Sequence, residues 1–199
     1  NPSLSTIVMK TFKELGIKQP LLSVVEREFE SPTEIQAKTI PLILKGKDVV
    51  AGSETGSGKT LAFSAGIIQN REKALILTPT RELAEQVARA LMKFSEHTIN
   101  IVFIYGGVSI DKQIRKLRSA DVVVGTPGRI LDHLRRKTIN LSKVNTLVVD
   151  EADRMFDMGF IKDTRWIMSQ LPKARQTLFF SATISRDIER IIGEFTVNP

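Results

Sequence analysis

The chain has 199 residues, enough for one ordinary domain with a short extension, and 42% hydrophobic with 26% charged residues describes a core-building globular protein rather than a disordered one. It contains no cysteine, which excludes disulfide frameworks and thiolate metal sites, no apolar run long enough for a membrane span, and no basic region feeding an apolar block in the manner of a secretory signal. With 29 Lys+Arg against 22 Asp+Glu the formal charge is +7, which suits an anionic partner but does not choose between nucleic acid, nucleotide and acidic lipid.

Residues 1–47 read as helical, punctuated by Pro20, Pro32 and Pro41, and are expected to cap one side of the fold as an N-terminal extension. From there on, short β-branched runs alternate with segments of helical periodicity. Strands are expected over 48–51, 74–78, 99–105, 122–125, 146–149 and 177–180, most of them apolar on both faces, as parallel strands covered on both sides are. Between them Leu83, Val87, Leu91 and Phe94, and later Ile130, Leu131 and Leu134, stand at helical spacing. The alternation predicts a doubly wound parallel α/β domain over 48–199, with ligands outside the carboxyl ends of its strands. Trp166 and Met168, with Ile161 upstream, are expected as the core stripe of a helix after Gly159, and His97 and His133 as solvent-facing helix positions.

After the first strand come Ser53, Glu54, Thr55, Gly56, Ser57, Gly58, Lys59 and Thr60, followed by a helix that begins at Leu61. Glycines there let successive N–H groups turn inward toward phosphate oxygens, and the helix N-terminus adds partial positive charge. Lys59 would reach the β- and γ-phosphates of a nucleotide, and the Thr60 hydroxyl would ligate Mg²⁺. Ser53 fills a slot that is usually Gly. A second chemical cluster ends the strand over 146–149, where Asp150 and Glu151 follow Val149. Asp150 is placed to hold Mg²⁺, and Glu151, pointing differently by strand alternation, to orient and deprotonate an attacking water. Taken alone, the pair reads equally well as a helix N-cap and a first-turn dipole partner.

Asp150-Glu151-Ala152-Asp153 resembles the signature of the DEAD-box RNA helicases, and other elements of that family follow in its order. Pro79-Thr80-Arg81-Glu82-Leu83-Ala84 follows the second strand, Gly106-Gly107 the third, Thr126-Pro127-Gly128-Arg129 the fourth, and Ser181-Ala182-Thr183 ends the last. Upstream, Phe29, Pro32, Thr33, Ile35 and Gln36 are similar to the family's adenine-reading segment, with Glu28 where the family usually has Gly. The resemblance implies a RecA-like domain, the ATP-binding N-terminal half of an ATP-dependent RNA helicase. It implies that Gln36 reads adenine through its donor and acceptor, that Phe12 stacks on the ring, and that Thr33 bonds toward the phosphate loop. It implies that Thr80-Arg81, Gly106-Gly107 and 126–129 grip an RNA sugar-phosphate backbone without reading bases, Arg81 and Arg129 supplying charged forks. Ser181 and Thr183 would bond back to Asp153 and couple the nucleotide state to the RNA side, with a cap on the next helix as the bland alternative for one of them. Basic clusters at Lys112, Arg115, Lys116 and Arg118, and at Arg135, Arg136 and Lys137, add to the field or are simply solvated helix faces.

The resemblance also implies a second RecA-like domain in cis, supplying arginine fingers; the residues after Thr183 contain no such set, so this chain is expected to be half an enzyme, weakly active or inactive alone. Cytoplasmic work fits a chain without cysteine. Two other readings stay open: a DNA-directed helicase or translocase, and a helicase-like module that binds without catalysis.

Overall fold

The structure, a computed structural model, describes residues 10–199; residues 1–9 of the expected extension lie outside the described residues. Six strands, β1 (Val49–Gly52), β2 (Ala74–Leu77), β3 (Ile101–Ile104), β4 (Val122–Gly125), β5 (Thr146–Val149) and β6 (Gln176–Ser181), form one sheet in the order β1-β6-β5-β2-β4-β3. Every pairing is parallel. The four inner strands are buried along their whole length, whereas β1 and β3 at the edges are only partly so. All six expected strands form, with ends shifted by up to two residues.

Alternation along the strands builds two cores. Ala74 and Ile76 of β2 point into one cluster and Leu75 and Leu77 into the other, so the same four residues serve both faces. The first face is covered by α1 (Leu21–Glu28), α2 (Glu34–Leu44), α3 (Lys59–Gln69) and α4 (Arg81–Phe94), which contribute Val25, Ile43, Phe63 and Leu91. A short helix, α5 (Ile110–Leu117), flanks the β3 edge. The second face is covered chiefly by α6 (Pro127–Arg135), α7 (Ala152–Asp157), α8 (Ile161–Ser169) and α9 (Arg186–Phe195), through Ile130, Met155, Ile167 and Ile191. α2 lies directly on α3 because residue 66 is glycine: a Cβ there would stand 2.6 Å from Ile43 Cγ2. That contact brings the start of α2 to the loop between β1 and α3.

Two expectations about helix faces change. Trp166 is exposed, and the buried stripe of α8 is Thr164, Ile167 and Met168. Residues two apart on a helix point to opposite sides, so Trp166 and Met168 cannot share a face. His133 is fully buried rather than solvent-facing; its two ring nitrogens bond Thr138 Oγ1 and Gln113 Oε1, each at 2.8 Å, which satisfies both polar ends of the imidazole. His97 is exposed, in the turn after α4 with φ of +59° rather than on a helix.

Candidate functional site

The segments singled out by sequence converge at the carboxyl ends of the strands. β1 runs into the loop 53–58, tied to β6 where Ser53 N–H donates to Ser181 O at 3.0 Å. Gly58 then turns with φ of +87° to start α3, placing Lys59 and Thr60 in its first turn. Thr33 and Gln36 grip this loop from α2. They form a capping box with each other, the Thr33 hydroxyl donates to Ser57 O at 2.7 Å, and Gln36 Nε2 donates to Gly58 O at 3.1 Å. Residue 58 must be glycine on two counts, since a Cβ would also meet Gln36 Nε2 at 2.5 Å.

Gln36 is fully buried and its amide holds the loop, so it presents no open edge to a base in this conformation. Phe12 is buried in the first core, with its ring centroid 6.0 Å from that of Phe29. Phe29, half-buried in the same cluster, is the more accessible of the two aromatics.

Opposite the loop, Asp150 and Glu151 leave β5. Lys59 Nζ stands 2.9 Å from Asp150 Oδ1 and 3.3 Å from Glu151 Oε1, with all three side chains buried. Strand alternation does not separate the two carboxylates as expected, because Glu151 sits past the strand end in a left-handed conformation, φ 52° and ψ 50°, that swings it back toward Lys59. Glu151 also receives the Thr55 hydroxyl at 3.2 Å and the Arg154 guanidinium at 3.1 Å. Burial raises the Asp150 pKa above the ordinary carboxylate range, and the adjacent Lys59 offsets only part of this. Its Oδ1 is held by the Lys59 ammonium, whereas Ser53 Oγ and Ser57 Oγ are buried without a hydrogen-bond partner. Polar atoms orphaned this way cost stability and suit a ligand that arrives with its own donors and acceptors. No group of three or more carboxylate or imidazole side chains converges on a metal position among the described residues. One hydroxyl, Thr60, and one carboxylate, Asp150, are the donor set suited to a Mg²⁺ that takes its other ligands from water and phosphate.

The third cluster joins the first turn of α7 to the end of β6. Asp153 accepts the Thr183 hydroxyl at 3.0 Å and the Thr183 N–H at 3.2 Å, while its own N–H donates to Ser181 Oγ at 3.1 Å. Burial works to raise the Asp153 pKa, but the hydrogen bonds from Thr183, Arg154 and Ser181 outweigh it and hold the carboxyl below its usual value. Neither Ser181 nor Thr183 caps α9; Ser185 does, accepting from Ile188 N–H.

The ends of β2, β3 and β4 carry the remaining motif residues. Thr80 caps α4 through Leu83 N–H, with Pro79 buried behind it. Arg81 lies exposed, its guanidinium carbon 4.2 Å from the centroid of the Tyr105 ring. Gly106, Gly107 and Gly128 are exposed, and a Cβ added at any of them would meet nothing within 4 Å, so this surface is open to close backbone approach. Thr126 and Pro127 begin α6. Arg129 is mostly buried, and its Nη1 donates to Val108 O at 3.0 Å and to Gln113 Oε1 at 3.2 Å, which ties the arginine to the glycine loop. Gln113 completes a buried relay by donating to Tyr105 O at 3.0 Å and accepting from His133. Sequence reasoning missed Gln113, Tyr105 and Arg154; a lone glutamine amid the cations of α5 was the one visible signal for the first.

Comparison with known proteins bears on this geometry. The family model described as DEAD/DEAH box helicase matches residues 33–191. The chain is 49% identical over 199 residues to the ATP-dependent RNA helicase DeaD of Escherichia coli strain K12, covering 95% of this chain and 32% of that protein. It is 48% identical over 200 residues to the DEAD-box ATP-dependent RNA helicase CshA of Geobacillus kaustophilus, covering 96% and 43% respectively. Among solved structures, a DEAD box protein from Methanococcus jannaschii superposes with a TM-score of 0.90 at 42% identity, over 94% of this chain and 54% of that one. An ATP-dependent RNA helicase from Sulfolobus tokodaii, itself described as hypothetical, gives 0.86 at 41% identity, over 89% and 54%. The chain thus spans less than half the length of these curated relatives and about half of the solved chains.

Proposed function

The chain belongs to the DEAD/DEAH box helicase family, with the RecA-like sheet of that family's solved members, and from this we propose that it is the nucleotide-binding part of an ATP-dependent RNA helicase. The observation that carries the reading is the buried triad of Lys59, Asp150 and Glu151 facing a loop whose serine hydroxyls lack partners. In this reading the N–H groups of 53–60 and the Lys59 ammonium bind the nucleotide phosphates, exchanging the carboxylate partners of Lys59 for phosphate oxygens. Mg²⁺, held by Thr60 and Asp150, would neutralise charge on the phosphates. Glu151 orients the attacking water and takes its proton, a role that the neighbouring Arg154 and Thr55 help to fix.

Gln36 reads adenine, and because its amide holds Gly58, recognition of the base requires that amide to turn out of the loop. Base identity and loop shape are therefore one event. Arg81, the Gly106-Gly107 loop, Thr126 and Gly128 face the RNA backbone, with Arg129 shaping this surface from behind. Asp153, Ser181 and Thr183 form the relay between the two sides. A second RecA-like domain in the longer protein completes the site and the RNA channel, and the protein acts in the cytoplasm. No helix among the described residues is long and apolar enough to cross a membrane.

The test is equilibrium binding of ADP and GDP with Mg²⁺, by calorimetry, to the chain and to Gln36→Ala. Preference for ADP in the parent that disappears in the variant supports the reading. Equal weakening of both nucleotides would leave Gln36 as a loop support alone, and absence of binding to the parent would overturn the nucleotide site.

A further inference from the structure

The sheet ends at β3, and the hydrogen-bond pattern shows which groups that edge leaves free. Asn100 and Ile104 carbonyls accept from Val122 and Thr126 N–H groups of the β4 side. The N–H and C=O of one residue in a parallel strand point the same way and alternate residues point oppositely, so 100, 102 and 104 face β4 while 101, 103 and 105 face outward. The outward carbonyl of Tyr105 is taken by Gln113 Nε2. Ile101 and Phe103 are left with a donor and an acceptor each along the open edge.

These groups form the floor of a groove. A cavity of about 510 Å³ lies along the edge, walled by Met92 of α4 on one side and by Lys112 and Lys116 of α5 on the other. Ile101 and Phe103 pack toward the α4 side, and Val102 toward the α5 side. One wall is therefore apolar and the other cationic, and no carboxylate lines the cavity. Neither Lys112 nor Lys116 has an ion-pair partner among the described residues.

We propose that the open edge of β3 is a docking site for an extended acidic segment of a partner protein, whose alternating apolar and acidic residues add to the sheet as a further strand. Strand period dictates the alternation: apolar side chains meet Met92 and acidic ones meet Lys112 and Lys116, while the backbone pairs with Ile101 and Phe103. Charge selects the occupant. A second copy would bring the same two lysines and the same formal charge of +7 to the groove, so the lysines that guard the edge against self-pairing favour an anionic strand. Nothing in this depends on the nucleotide reading, because the groove lies at the opposite edge of the sheet from β1 and its loop.

The experiment uses the chain labelled for amide spectra and a short synthetic peptide alternating valine and aspartate. The controls are a peptide of the same composition in two blocks and one N-methylated on alternate backbone nitrogens. The expected result is saturable binding of the alternating peptide, with new protection from hydrogen exchange at the Ile101 and Phe103 amides. Both control peptides and the Lys112→Glu/Lys116→Glu chain should bind about tenfold more weakly or worse. An unchanged amide spectrum of that variant away from the groove reports that it is folded. No binding, equal binding of the block peptide, or protection elsewhere would overturn the proposal. So would displacement by an equimolar single-stranded RNA, which would assign the lysines to RNA, or protection of the same amides by the chain alone at high concentration, which would assign the edge to self-association.

Discussion

The two halves of the site, side by side along one row of strand ends, are built on opposite principles. At β1, β6 and β5 the chain buries Lys59, Asp150 and Glu151 against one another, with Arg154 reaching Glu151 from the surface, and leaves the Ser53 and Ser57 hydroxyls without a hydrogen-bond partner. At β2, β4 and β3 the mostly buried cation, Arg129, is tied through Nη1 to Val108 O and Gln113, and what is open is glycine backbone and the exposed Arg81. The first half is electrostatically incomplete and the second is complete but bare. An incomplete site gains most when a small charged ligand enters it, whereas a bare, prearranged one suits a long polymer held by many weak contacts. The two should therefore respond differently to single substitutions.

The largest difference is expected at Lys59. Lys59→Met leaves Asp150 buried without its cation and Glu151 with Arg154 alone, and breaking such a cluster from one side costs about 3–5 kcal/mol. Chemical denaturation at neutral pH measures it. Because burial already holds the Asp150 pKa high, the penalty should shrink as the pH is lowered and the carboxyl takes up a proton. A loss below about 1 kcal/mol would mean that the charges are not stabilised by each other, and the contrast between the halves would fall. Next comes Gly58→Ala, which forces a side chain into a left-handed turn and onto Gln36 and Thr33. The expected cost is about 1–3 kcal/mol, together with weaker ADP binding in calorimetry.

How much of this was legible beforehand follows the same division. The loop 53–58 and the acidic strand end could be located because each is a run of consecutive residues after an apolar strand, and parallel strands announce themselves by burial on both faces. What could not be read depends on partners distant in sequence. Arg129 is a cation after a turn in either case, and only the approach of Val108 and Gln113, outside its own helix, turns its fork inward. His133 is buried for the same reason, through Gln113. Gln36 lies on a helix whose packing on α3 depends on the absence of a side chain at Gly66, thirty residues away in sequence, and Phe12 is enclosed beside Phe29, which in turn meets Phe94 of α4. Glu151 escaped strand alternation by one backbone angle.

Effects of intermediate size test whether the second half is as complete as described. Arg129→Ala removes donors to a carbonyl and an amide oxygen and should cost about 1–3 kcal/mol, with faster hydrogen exchange in the Gly106-Gly107 loop. Lysine should rescue part of the loss, since both bonds come from one nitrogen, Nη1, and a single ammonium can donate to both acceptors. His133 supplies the pH signature. Burial first, then the neighbouring Arg129 and Arg136, lower its pKa below the ordinary value, with Asp132 opposing. The unfolded chain therefore binds a proton that the folded chain refuses, and stability falls as pH drops below about 6.5, by at most about 1.4 kcal/mol per pH unit from this group. Thermal or denaturant titrations between neutral and mildly acidic pH should show the slope, and His133→Gln should remove this part of it.

The smallest expected change in stability belongs to Arg81, and it separates the halves most cleanly. Its guanidinium lies over the Tyr105 ring at the surface, an interaction worth about 0.5–1 kcal/mol, and its 3.5 Å contact with the Tyr105 hydroxyl is at the limit of a hydrogen bond. Arg81→Ala should thus leave unfolding nearly unchanged. If Arg81 faces an RNA phosphate, the same variant should weaken binding to every single-stranded RNA about equally and reduce the slope of log affinity against log salt by about one. Arg129→Ala, which loosens the loop instead of removing an exposed charge, should weaken RNA binding with little change in that slope. Equal salt slopes for parent and Arg81→Ala would place Arg81 among the scaffold residues, and the second half would then lack the free cation that its description requires.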